Sequence, residues 1–480
     1  MTRTIVIGLD GAGFRLLDPW LEAGELPNLK RIIDDGVSGD LRSELPPVTS
    51  PSWKVYSTGK NPGKLGIFWW YNIDTKNERV YRPSDRYHDN TEFWELLADR
   101  EPVGVLGMPM TYPPKSVDGT VVSGAPDGQN TGFTHPPELE SELRERFDYR
   151  VTTRHRLQDE PDRTYDEILE LIDVRFRAAK YLLERYDLSF LQATTFYINA
   201  LHHHLWDDDR TLEAWRIIDD HLGDFYEMDA NLVLMSDHGH AEIETVFRIN
   251  RWLEREGYLT FDSKLADALH AVGVTSNRVN QLVTRVNRIV PGVRVDDRVA
   301  EYAPRWVINR LSDSGGGRRV SKMVESNWRH TEALATAQGG LYLNVSRDSG
   351  RYEELRAELI EKLDRMTGPE GNTVFESVYR GENVYSGPYV EEGPDIVLDK
   401  RADVHVSDRL GHESVFSSDH GTWRGINTRE GLFAAVGPAF GAGTVEDISI
   451  LDLAPTLLDL HEIPVPDDVD GRVHGGALSE

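Results

Sequence analysis

The sequence predicts an α/β fold with a doubly wound, mostly parallel central sheet and helices on both faces. Three observations predict it. Apolar runs too short for buried helices recur at 4–10, 103–110, 188–196 and 231–235. Segments with helical spacing lie between them, the longest over 165–185. Two of the runs end in ligand-type side chains, Asp10 and the pair Asp237-His238, and in open α/β sheets ligands gather beyond the carboxyl ends of the strands. No tandem repeat of solenoid period interrupts the alternation.

Taken in order, residues 4–10 give the first strand, and Gly11-Ala-Gly13 turns the backbone into the amphipathic segment 14–23. This is not a dinucleotide fingerprint, because the third glycine would fall on Leu16 and Asp10 would face the phosphates. A helix is predicted over Pro27–Asp35, with proline at its first position and Gly36 after its last. Leu45-Pro-Pro-Val-Thr-Ser-Pro-Ser-Trp-Lys54 sets Thr49 and Ser50 among prolines. That pattern fits a helix start where one hydroxyl caps the backbone and anions are favoured. The aromatic run Phe68-Trp-Trp-Tyr71 offers rings either to the core or to a base or sugar.

A short strand is predicted at 121–124, and Ile168, Leu171, Ile172, Phe176, Ala179, Tyr181 and Leu182 mark a helix that covers one sheet face. The strand at 188–196 leads to Asn199-Ala-Leu-His-His-His-Leu-Trp206 and then to a helix over 211–226. Residues 262–330, rich in Arg, Asn and Val, read as an inserted, mostly helical cap that divides a catalytic core of 1–261 and 331–480. A strand at 340–344, a helix at 351–366, strands at 394–398 and 431–436 and a closing helix at 452–460 complete the chain.

At 480 residues the chain holds either one large domain with insertions or two domains. With 81 acidic against 53 basic residues its formal charge is −28, a field that repels nucleic acid and anionic membrane. The absence of cysteine excludes disulfides, thiolate ligands and cysteine nucleophiles. The polar start running straight into a strand, and the lack of any apolar run of membrane-spanning length, make the cytoplasm the expected location. Nothing in the sequence sets the oligomeric state.

The four residues Ser236-Asp-His-Gly239 return as Ser418-Asp-His-Gly421, and with Asp10 they point to one site built from carboxylates and imidazoles. Such mixed ligands suit zinc or manganese better than calcium or magnesium. Gly8-Leu-Asp-Gly11, Pro27-Asn-Leu29, Pro47-Val-Thr-Ser-Pro-Ser-Trp53, Thr58-Gly-Lys-Asn-Pro-Gly63, Pro109-Met-Thr-Tyr-Pro-Pro114, Ser236-Asp-His-Gly239, His420-Gly421 and Asp452-Leu-Ala-Pro-Thr456 occur in one order. In that order the chain resembles the type I phosphodiesterase/nucleotide pyrophosphatase branch of the alkaline phosphatase superfamily, over nearly its full length apart from the cap.

The resemblance implies an alkaline phosphatase-like core and a hydrolase with two divalent metal ions, zinc first and manganese as the alternative. It implies Thr49 as a nucleophile that becomes phosphorylated, with Asp10, Asp237 and His238 on the metal beside it and Asn199, His203 and His420 on the other. The implied substrate is a small phosphorylated molecule such as a nucleotide or nucleotide sugar. Two positions depart from the pattern. Asn199 stands where the family usually has an aspartate, so that metal loses a charged ligand, for which His202 or His204 could compensate; and Trp70 stands about where a phosphate-contacting asparagine is usual. Sulfatases need a Cys or Ser motif absent here, and the related phosphoglycerate mutases use serine. The alternatives are a phosphomonoesterase or phosphomutase on the same scaffold, or a weakened protein that binds a metal and a phosphoryl ligand.

An acidic surface with few lysines is also expected of a halophilic protein. Thermal unfolding from low to multimolar KCl tests this: stability should fall as salt is withdrawn, whereas an ordinary acidic enzyme should show no such loss.

Overall fold

The computed structural model describes residues 3–157, 159–260, 328–410 and 414–479. Among them, nine strands form the central sheet, in the order Gly443–Thr444, Val37–Arg42, Glu430–Val436, Ala230–Met235, Arg3–Leu9, Phe190–Thr195, Val103–Met108, Gly119–Ser123 and Thr134–His135. The five strands from Ala230–Met235 to Gly119–Ser123 run parallel, as predicted. Glu430–Val436 runs antiparallel to both of its neighbours.

Side-chain alternation along the first strand sorts the two helical layers. Ile5, Ile7 and Leu9 face a core shared with helices Pro27–Asp35, Pro161–Arg185 and Asp209–Tyr226. Val6 faces the other core, with Trp53 and Tyr56 of helix Thr49–Thr58 and Leu453 and Leu457 of helix Ile450–Leu460. Gly8 lies on that second face, where a Cβ would come within 2.8 Å of the Trp53 ring. Glycine there lets the helix lie directly on the strand.

All ten residues of helix Thr49–Thr58 are buried. The polar ones among them therefore need partners. Lys54 Nζ donates to Glu92 Oε1 at 2.6 Å, with both side chains shut away from solvent. This pair ties the helix to the start of helix Phe93–Ala98.

The strand–helix–strand stretch after residue 330 does not join the central sheet. Ala333–Ala335, Gly340–Leu343, Ile396–Lys400 and Phe375–Arg380 form a separate four-stranded antiparallel sheet in that order. Helices Ile249–Glu256 and Gly350–Asp364 share its apolar core. Alternation in sequence reports that strands and helices follow one another, but not which sheet a strand enters. The predicted cap lies outside the described residues except for 328–330, a single 3₁₀ turn. The described ends flanking it meet: Thr260 Oγ1 donates to His330 O at 3.0 Å. Among the described residues, no helix is long and apolar enough to cross a membrane.

Lys54→Met would remove the nearer ammonium of the buried Glu92 carboxylate, leaving it Lys115 at 3.9 Å, and is expected to cost about 3 kcal/mol of stability. The double variant Lys54→Met/Glu92→Leu should recover most of that loss. Urea denaturation of the parent and both variants checks it.

Candidate active site

The strands Arg3–Leu9 and Ala230–Met235 are parallel neighbours in a register that pairs Gly8 with Met235. Two residues further on, Asp10 and Asp237 therefore leave the same sheet edge side by side. Asp10 Oδ2 accepts from Trp53 Nε1 at 2.8 Å, and Asp237 Oδ1 accepts from the Gly11 N–H at 3.1 Å. The remaining oxygens, Asp10 Oδ1 and Asp237 Oδ2, are buried without a hydrogen-bond partner.

His238 closes the group. Its Nδ1 donates to Gly239 O at 3.0 Å, which leaves the lone pair on Nε2. That nitrogen lies 3.3 Å from Asp237 Oδ2 and 3.8 Å from Asp10 Oδ1. Asn427 Nδ2 donates to it at 3.0 Å and to Pro47 O at 2.9 Å.

Thr49 is the first residue of its helix, but Val48 occupies the cap position with extended backbone and no side-chain cap is made. The expectation that Thr49 or Ser50 caps the helix thus fails. The Thr49 hydroxyl turns inward instead, 3.4 Å from His238 Nε2, and Ser50 Oγ meets the Tyr87 hydroxyl at 3.3 Å.

Burial governs the electrostatics. It lifts Asp10 well above the ordinary carboxylate range, with the charge of Asp237 adding to the effect. Burial likewise pushes Asp237 up to about 8 and His238 down to about 4. One ligand atom from each of Asp10, Asp237 and His238 falls within 4.8 Å of the others. Two partnerless carboxylate oxygens beside an imidazole nitrogen are a donor set that could hold a divalent cation.

Asn199 and His203 lie one turn apart on helix Tyr197–Leu205. Asn199 is buried and its Oδ1 has no hydrogen-bond partner; a Cβ on Gly11 would come within 3.2 Å of that oxygen. His203 Nδ1 donates to Gly425 O at 2.9 Å, which leaves its Nε2 as the lone-pair nitrogen. His420 sits on a half-exposed loop, where Arg424 Nη1 donates to its ring at 3.1 Å. The structure thus gathers Asp10, Thr49, Asp237 and His238 closely, sets Asn199 at their flank, and leaves His420 outside that group.

His204 and the Nε2 of His202 are engaged elsewhere, while His202 Nδ1 is buried without a hydrogen-bond partner. His202 Nε2 accepts from Trp215 Nε1 at 3.0 Å, and His204 Nδ1 donates to Thr422 O at 3.0 Å. Trp69 packs with Val48 and Ala337 beside the start of the Thr49 helix, and Trp70 and Tyr71 are half-buried against the same cluster. Lys60 and Lys64 pair with Asp468 and Asp470. Sequence reasoning missed three participants: Trp53, Asn427 and His240. Trp53 alone carried a signal, standing one helical turn after Thr49.

Residues 4–423 match the family model for type I phosphodiesterase / nucleotide pyrophosphatase. No curated protein matches the chain. Similar solved structures include phosphonoacetate hydrolase from Sinorhizobium meliloti 1021 in complex with phosphonoacetate, at 15% identity over 94% of each chain and a TM-score of 0.58. Human ectonucleotide pyrophosphatase / phosphodiesterase 5 is similar at 13% identity over 100% of each chain, with a TM-score of 0.53. An inactive threonine-to-alanine form of the murine protein of that name, in complex with AMP, matches at 13% identity over 100% of each chain and a TM-score of 0.52. At these identities the likeness is one of fold.

The carboxyl environment sets a pH dependence. With no cation bound, Asp237 favours folding fully below its unfolded value of 3.8 and loses that contribution as pH rises through about 8. Asp237→Asn removes this titration. In chelator-treated protein the stability of the variant relative to the parent should therefore rise from about pH 4 to about pH 8. Urea unfolding across that range checks it. Saturating zinc should reverse the trend by binding the ionised carboxylates.

Proposed function

The chain belongs to the type I phosphodiesterase / nucleotide pyrophosphatase family, and from that premise we propose that it hydrolyses phosphoric ester or pyrophosphate bonds with Thr49 as the nucleophile. One observation carries the reading: the Thr49 hydroxyl, at the first position of a buried helix, lies 3.4 Å from the Nε2 that also faces Asp10 and Asp237.

Asp10, Asp237 and His238 would hold one divalent cation, and Asn199, His203 and the His420 loop a second. When bound, the cations lower the pKa of the threonine hydroxyl and offset charge on the phosphoryl oxygens. The chain's own groups do the rest. Trp53 and Gly11 fix the two carboxylates, the Gly239 carbonyl holds His238 through Nδ1, and Asn427 meets the Nε2 that would face the cation. The Thr49 helix begins at this residue, so its positive dipole end lies beside the hydroxyl and favours anionic phosphoryl oxygens. The Thr49 oxygen forms its bond to phosphorus as the bond to the leaving group breaks. Water then cleaves the phosphothreonine and restores the hydroxyl.

For substrate we propose a nucleotide or nucleotide sugar. Trp70 and Tyr71, half-buried beside the Val48–Trp69 cluster, offer stacking surface for a base or sugar. The AMP complex of the murine structural neighbour supports that class. Asn199 favours a second reading, a protein with a single cation that binds its phosphorylated ligand without turning it over. Counting bound ions separates the two.

Thr49→Ala is expected to lower turnover of bis-p-nitrophenyl phosphate, with zinc or manganese supplied, by on the order of a thousand-fold or more. Circular dichroism should show the fold unchanged. An equal rate in the folded variant would remove Thr49 from the mechanism, and no turnover by the parent with metal bound would favour the binding-protein reading.

A further inference from the structure

Resting on the reading that His203 holds a cation, we infer that His240 is a positioning residue that fixes the His203 ring and, through Gly11, ties it to Asp237. His240 is buried in strand Gly239–Glu242, where it pairs across the ladder with Asn427. Its Nδ1 lies 3.0 Å from Gly11 O. A carbonyl only accepts, so Nδ1 carries the proton and Nε2 the lone pair.

That lone pair faces His203 Nδ1 at 3.4 Å. The His203 proton is therefore held between two acceptors, His240 Nε2 and the Gly425 carbonyl 2.9 Å away. This arrangement selects the tautomer that leaves His203 Nε2 free to bind a cation. An acceptor on the non-ligating nitrogen is the usual means of orienting a metal-binding histidine, and His240 adds a second one to the Gly425 carbonyl. The rings meet edge to face, with centroids 4.6 Å apart and planes at 72°, and Trp423 lies against His203 at 4.1 Å.

Gly11 makes the link possible. Its N–H donates to Asp237 Oδ1 at 3.1 Å, while its carbonyl accepts from His240. Its φ of +72° is left-handed, and a Cβ would sit 2.6 Å from His240 Nδ1 and 3.2 Å from Asn199 Oδ1. Only glycine allows an imidazole to approach so closely. The consequence is particular to this chain: because Asn199 brings no charge, the second cation depends more on how well His203 is aimed. The compensation that His202 and His204 do not supply comes from His240.

Long-range proton–nitrogen NMR of the histidine-labelled, chelator-treated protein tests this without metal or substrate. The parent should show His203 as the Nδ1–H tautomer, and His240→Ala should show a mixture with Nε2–H while His238 keeps its own. His240→Gln, which can both donate to Gly11 O and accept from His203, should restore the parent pattern. In calorimetric titration with zinc, His240→Ala should weaken the second ion by about 10–100-fold and leave the first unchanged. An unchanged His203 tautomer in His240→Ala overturns the inference, as does equal weakening of both ions in a protein that remains folded. If the parent binds a single ion, the two-cation reading fails while the tautomers still decide the role of His240.

Discussion

Two carboxylate oxygens and an imidazole lone pair, shut away from water within 4.8 Å of one another, form the constraint on which the rest of the structure depends. Removing an ionised carboxylate from water costs several kcal/mol, and a second one beside it adds repulsion. A soft frame would relieve this by swinging one group out to solvent. Here each group is held from a different direction: Asp10 by Trp53 of the buried helix, Asp237 by the backbone of Gly11, and His238 by Gly239 and Asn427. The anchors belong to separate elements, so the cluster relaxes only if the packing between those elements is lost.

The sheet explains why the cluster forms where it does. The first strand lies at the centre, with Phe190–Thr195 on one side and Ala230–Met235 on the other, so connections leave it in both directions. At such a switch point the loops diverge and leave a crevice beyond the carboxyl ends. Asp10, Asp237 and the helix bearing Asn199 and His203 all enter that crevice from these three neighbouring strands. Thr49 arrives from the layer below, carried by a helix that is buried throughout and fixed by the Lys54–Glu92 pair. The proposed nucleophile and the candidate ligands thus come from different layers and meet only in the assembled fold.

This division also sets what is legible in the sequence. Asp10 and the Asp237-His238 pair can be read directly, because each ends an apolar run and strand ends in such sheets are where ligands gather. The parallel core and its major helices can be read from the periodicity. The remaining contacts cannot, because they depend on pairings that local pattern does not encode. Asn427 reaches His238 through the ladder between Gly239–Glu242 and Gly425–Thr428, and His240 reaches His203 through the same short sheet. The strands at 340–343 and 396–400 show the same limit, since their own antiparallel sheet has the strand–helix–strand order that a doubly wound sheet would also have. Thr49 is an intermediate case. Its prolines mark a helix start, but the neighbour its hydroxyl meets, His238, lies 189 residues away.

The charge of the whole chain and the demand of the site have opposite sign. A formal charge of −28 opposes the approach of a phosphorylated substrate, while the proposed chemistry needs positive potential at Thr49. The two act over different distances. At about 0.15 M salt the Debye length is about 8 Å, and near 1 M it is about 3 Å, so the long-range repulsion fades while contacts inside a buried crevice persist. Lys400 illustrates the inner regime: it is buried, its own pKa is pushed down to about 8 by desolvation, and its charge still helps to hold His238 neutral. In the proposed mechanism, attraction for substrate would come from bound cations and from the start of the Thr49 helix, acting within the few ångströms where the acidic surface is screened. This places a heavy load on the aim of each ligand, and most of all on the side where Asn199 contributes an oxygen without a charge.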